Sequence, residues 1–195
     1  MAVKAKRKTS SSPRTYDTQK LMEYAARMLS TRAYSSGELR SKLLRRAESR
    51  EALEEAMQRL AEIGFIDDQR FADAFASWRR DRDGLGKTRV ARDLMARRIA
   101  PQLAREAADN AYQETDESAL ALKLLERKYR GKNLAELLNF KNPDREKHLA
   151  GAFRKLRTAG FGAQVSIQVL RRFSRDADRL EEMADSEPED CEQNL

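Results

Sequence analysis

Leu60-Ala-Glu-Ile-Gly-Phe-Ile-Asp-Asp-Gln-Arg-Phe-Ala72 decides the fold. An apolar-periodic run ends at Gly64, a residue type that commonly follows a helix end. Phe65 follows, and Asp67-Asp68 can cap the next helical run. The pattern returns as Leu156-x-x-x-Gly160-Phe161 and, more faintly, as Leu94-x-x-x-Arg98-Ile99. In each case an apolar residue is placed to plug the junction before the next helix. Leu39/Leu43 likewise returns as Val90/Leu94. Internal recurrence at such a period is the mark of a repeat architecture.

Outward from that stretch the periodicity is helical throughout. Leu21, Ala25, Met28 and Leu29 form one stripe, and Leu53, Met57, Leu60 and Ile63 another. Phe71, Phe75 and Trp78 recur at i, i+4 and i+7. Further stripes run through Val90/Leu94, Leu103/Ala107, Leu120/Leu124, Leu149/Phe153/Leu156 and Val165/Val169/Leu170. Val and Ile number only four each, and no stretch alternates cleanly, so a sheet has little to be built from. The expected fold is all-α. Starts agree, with a capping box at Ser35-Ser36-Gly37-Glu38 and prolines 101 and 143 at first helical positions. Stops agree too, at Gly64, Gly84, Gly131 and Gly160.

Nine short helices grouped in threes give repeats over 17–65, 66–113 and 114–175, the last enlarged by an insertion near 131–143. Helix triples of this size bury little alone, so they must share interfaces, and the expected shape is an elongated, curved rod. A basic stretch 1–16 and an acidic stretch 176–195 lack the apolar side chains to offset ordering entropy and are expected to be disordered.

The 195 residues allow one domain or several small units with a common core. At 36% the charged fraction exceeds the roughly 25% of an average globular protein. The net charge of +7 hides three regimes. Residues 1–16 carry five cations and no anion, and 176–195 carry nine acids against Arg179. The body between them retains +10. Such a body points to a polyanionic partner, or to a basic face for which the acidic stretch competes. No run of 18 apolar residues exists and no apolar segment follows the N-terminal cations, which argues against membrane insertion and secretion. Cys191 is the single cysteine, so no intramolecular disulfide forms, and a reducing cytosol is the expected compartment.

Gly84-Leu85-Gly86-Lys87-Thr88 imitates the end of a phosphate-binding loop. However, Asp81 stands where the first glycine is needed, and a helix rather than a strand precedes it. A flexible loop capped by Thr88 or Lys87 is the better reading. His148 is the only histidine, which removes multi-histidine metal centres and Cys–His dyads; no active site, metal or cofactor is expected. Trp78 with Arg79, Arg80 and Arg82 can form a stacking platform for single-stranded nucleic acid. Its spacing favours the rival reading, in which Trp78 packs to close the Phe71/Phe75 stripe. Cations recur in each triple: Arg40, Lys42, Arg45 and Arg46; Lys87, Arg89 and Arg92; Arg154, Lys155 and Arg157.

Thr31-Arg-Ala-Tyr-Ser-Ser-Gly-Glu-Leu-Arg-Ser-Lys-Leu43, the segment Leu60–Ala72 with Phe75, and Gly86-x-x-Arg89-x-x-x-x-Leu94 together resemble the signature of the RecX regulatory proteins. The resemblance spans roughly 20–174; Gly-Phe-Ile-Asp-Asp-x-Arg-Phe-Ala (64–72) is its most specific part. Arg98 departs from it, since the family commonly has glycine there. The resemblance implies three tandem three-helix repeats that bind RecA and its filament on single-stranded DNA. It also implies hindered filament extension, with less ATP hydrolysis, strand exchange and coprotease activity, and so modulation of recombination and the SOS response. It leaves room for weak direct DNA binding and implies no enzymatic activity. A monomer is expected. The candidate contact residues are Arg40, Arg45, Arg79, Arg80, Arg82, Lys87 and Arg89. Stand-alone DNA binding by helix-turn-helix-like units is the alternative, and a purely structural adaptor a third reading.

Overall fold

The computed structural model describes residues 15–139, 141–174, 176, 177 and 180. Among these the regular structure is helical, apart from one isolated bridge between Tyr16 and Ala47. The helices are α1 (Thr18–Leu29), α2 (Ser36–Leu44), α3 (Arg50–Glu62), α4 (Asp68–Trp78), α5 (Lys87–Ala96), α6 (Pro101–Tyr112), α7 (Glu117–Lys128), α8 (Leu134–Leu137), α9 (Arg145–Thr158) and α10 (Ala163–Arg171). A π-helical turn, Arg79–Asp83, continues α4. Among the described residues the one named helix beyond the nine expected is α8, inside the 131–143 insertion; the Asn133 side chain caps it by accepting from the Ala135 and Glu136 amides. Both charged terminal stretches, Cys191 included, lie outside the described residues, save Thr15, Tyr16, Asp176, Ala177 and Leu180.

The chain divides into two compact units, one up to Phe71 and one from Ala72 onward. In the first, α1 and α2 pack on α3 around Leu21, Ala25, Leu39, Leu43, Leu53, Ala56 and Leu60. Tyr16, just ahead of α1, is pinned there. The Tyr16 amide donates to the Arg46 carbonyl at 2.7 Å, and the Glu48 amide donates to the Tyr16 carbonyl at 3.0 Å. In the second unit, α5 packs on α6 through a small-residue seam, with Ala91, Ala104, Ala107 and Ala108 buried. Helices α7, α9 and α10 pack together around Leu125, Phe153, Leu156, Phe161 and Leu170.

The recurring Leu-x-x-x-(Gly/Arg)-apolar motif is a helix stop with a defined hydrogen bond. Phe65 N–H donates to Leu60 O at 2.9 Å, Ile99 N–H to Leu94 O at 3.2 Å and Phe161 N–H to Leu156 O at 3.1 Å. In each the residue between them is left-handed: Gly64 at φ 72°, Arg98 at 63° and Gly160 at 93°. This six-to-one bond satisfies a carbonyl that the helix end would leave unpaired. Ile99 and Phe161 are buried as expected, whereas Phe65 is half exposed and plugs nothing within its unit.

Two other starts differ from expectation. Asp67 caps α4, accepting from the Arg70 amide at 2.9 Å, but Asp68 reaches back to α2, where it accepts from both the amide and the hydroxyl of Ser36. Pro143 precedes the Asp144 N-cap of α9 and is not its first residue. The capping box at Ser35/Glu38 and the proline at the first position of α6 stand as read.

Candidate nucleic-acid interface

The π turn after α4 sets the site. It ends on left-handed Gly84 (φ 62°), and the chain then enters α5 through Leu85 and Gly86. Gly86 is buried against the end of α9: its amide donates to Ala159 O at 2.8 Å, and the Thr88 amide donates to Gly160 O at 3.3 Å. A Cβ on Gly86 would stand 2.3 Å from the Gly160 carbonyl carbon, and one on Gly160 2.3 Å from Arg89 Cβ. Only glycine at both positions lets the two backbones meet. The Gly84–Thr88 segment is therefore not a flexible loop capped by Thr88 or Lys87. Gly86 is the N-cap of α5, with no side-chain cap at all.

That junction forms one end of a groove of about 790 Å³. Arg79, Asp83, Leu85 and Arg89 come from the π turn and the start of α5, Leu124, Arg127 and Lys128 from α7, and Gly151, Arg154, Lys155 and Thr158 from α9. Six of these residues are cations and one, Asp83, is a carboxylate. The Arg79 guanidinium binds both Asp83 and Asp93, and Arg89 Nε donates to Asp93 Oδ1 at 2.8 Å. Arg127 donates to the Asp83 carbonyl, and Lys155 Nζ donates to the Tyr129 hydroxyl at 2.9 Å. Lys128 and Arg154 are exposed and make no ion pair among the described residues. Four cations are thus held in fixed positions and two project to solvent. Asp83 and Asp93 offset the charges of Arg79 and Arg89, so the net positive field comes from Arg127, Lys128, Arg154 and Lys155, and it attracts an extended anion at little cost in ordering.

The seven residues singled out from sequence are divided among several places. Arg79 and Arg89 line the groove. Arg80 points elsewhere, bonding Asp81 and the Ala111 carbonyl. Lys87 pairs with Asp109 at 2.9 Å, a hydrogen bond that raises its pKa, beside a smaller α5–α6 crevice that also holds Arg92 and Arg105. Arg40 forks onto Glu54 between α2 and α3, and Arg45 is the exposed C-cap of α2. Arg82 lies 5.5 Å from the Trp78 ring centroid. Trp78 touches Phe75, with centroids 6.4 Å apart, yet is 46% exposed, so it does not close the stripe into a core as its spacing suggested. Arg127 and Lys128 escaped the sequence reading. As cations in the last turn of α7 they read as partners of the helix dipole, and only its packing against α9 aims them at a groove.

Tyr112 donates to the Leu85 carbonyl, and burial pushes its phenol up, which keeps it a donor. Among the described residues no cluster of three or more His, Cys, Asp or Glu is disposed to hold a metal, and no helix is long and apolar enough to cross a membrane.

Comparison with known proteins agrees with this architecture. Residues 22–60 match the model of the first three-helix domain of RecX, and residues 67–107 that of the second. The chain is 32% identical over 161 residues to the regulatory protein RecX of Deinococcus radiodurans, covering 82% of this chain and 72% of that protein. It is 33% identical over 116 residues to RecX of Thermus thermophilus, covering 54% of this chain and 80% of the relative. The crystal structure of RecX from Lactobacillus salivarius superposes with a TM-score of 0.67 at 17% identity, over 80% of this chain and 96% of that one. Tandem three-helix repeats, the glycine-stopped helices and relatedness over four-fifths of its length place the chain in one family: it belongs to the RecX regulatory proteins.

Proposed function

We propose that this chain modulates the RecA recombinase in the cytoplasm, binding RecA and its filament on single-stranded DNA and hindering filament extension. Reduced ATP hydrolysis, strand exchange and coprotease activity follow, which tempers recombination and the SOS response. Family membership carries this reading, and the six-cation groove supports it by supplying what a polyanionic filament demands. The protein acts by binding, without chemistry of its own, and as a monomer. Charge in the groove speeds encounter and makes affinity salt-sensitive, while exposed apolar groups such as Trp78 supply specificity.

The test is RecA's single-stranded-DNA-dependent ATP hydrolysis with the protein titrated in below stoichiometry. Inhibition at such ratios is expected, because blocking a growing end needs few molecules. Inhibition appearing only when the protein coats the DNA overturns the reading in favour of a stand-alone DNA-binding protein.

A further inference from the structure

The groove has an acidic counterpart in its own chain. Between residues 181 and 192 the sequence holds seven carboxylates and no Lys or Arg. This stretch departs from the same packed core that forms the groove. Ala177 and Leu180 are buried with the α7, α9 and α10 residues, and Asp176 is ion-paired to Arg145 of α9 at 2.6 Å. Arg145 and the groove's Arg154 are nine residues apart on that helix, about 13.5 Å at 1.5 Å per residue. The 12 residues from Leu180 to Glu192 span up to about 40 Å when extended.

We propose that the groove between α5, α7 and α9 is a binding site for an acidic peptide, and that its resident occupant is the chain's own stretch 181–192. Lys128 and Arg154, the two groove cations that project to solvent, receive carboxylates, and the anchored Arg127 and Lys155, held by neutral acceptors, supply the surrounding field. Tethering raises the local concentration of the stretch to about the millimolar range, so weak individual contacts suffice. Each exposed pair adds little and is screened by salt, so occupancy is reversible. On the reading given under the proposed function, a nucleic-acid backbone must displace the stretch to enter, and only a dense polyanion such as a filament competes well.

Cys191, the only cysteine, lies inside this stretch and accepts a nitroxide without other changes to the full chain. Paramagnetic broadening of amide resonances is expected around Leu124–Lys128 and Gly151–Thr158 at about 0.05 M salt, fading at about 1 M. It should also fade in a full-length K128E/R154E variant that keeps its helicity by circular dichroism. An oligothymidylate titration should release the broadening as it binds. Replacing the seven carboxylates by their amides should tighten oligothymidylate binding about tenfold at low salt and hardly at all at high salt. Broadening absent from the groove, or unmoved by the charge reversal, overturns the proposal. These readouts contain no RecA: docking without inhibition of RecA overturns the proposed function alone, and inhibition without docking overturns this inference alone.

Discussion

Arg98 holds a left-handed backbone at φ 63° in the position where its two counterparts are glycine. A side chain there costs about 1 kcal/mol, so R98G should stabilise the protein by about that amount, seen as a raised thermal midpoint. The counterparts are themselves unequal. A Cβ on Gly64 meets nothing within 4 Å, whereas one on Gly160 drives into Arg89. G64A should therefore cost about 1 kcal/mol and G160A about 3 kcal/mol or more, measurable by urea unfolding. Equal costs would mean that the Gly86–Gly160 junction relaxes freely. Sequence showed both glycines as helix stops, because that role is local. The second role of Gly160 depends on Arg89, 71 positions upstream, which no local pattern contains.

Helix starts and stops were legible because caps are written in side chains adjacent to the bonds they make. The Ser35/Glu38 box, Pro101 and the three Leu-x-x-x-(Gly/Arg)-apolar stops are of this kind. Asp68 was not, since its bonds cross 32 residues to Ser36. D68A should cost about 1–2 kcal/mol by stripping the amide and hydroxyl of Ser36 of their acceptor. D67A should cost about 1 kcal/mol, the ordinary loss of a cap. Equal stability of D68A and wild type in chemical unfolding would contradict that link between α2 and α4. The π turn was also invisible: Arg79-Arg-Asp-Arg-Asp83 has no apolar period to break. Its conformation coincides with Arg79 gripping Asp83 and Asp93, and a π turn placed at a functional surface is a common occurrence.

At the level of the whole molecule, charge was legible in amount but not in place. The +10 of residues 17–175 is compatible with a polyanionic partner and equally with a solvated basic surface. Tertiary packing then divided the cations. Arg40, Arg80 and Lys87 are tied to nearby acceptors, while Arg127, Lys128, Arg154 and Lys155 join Arg79 and Arg89 on one groove. Under the proposed function, this groove carries the regulation of RecA. Its most direct test is RecA's ATP hydrolysis on single-stranded DNA, titrated with wild type and with the helical K128E/R154E variant. The variant should need at least about tenfold more protein for the same inhibition, with the gap closing as salt rises. Superimposable inhibition curves at low salt would contradict it.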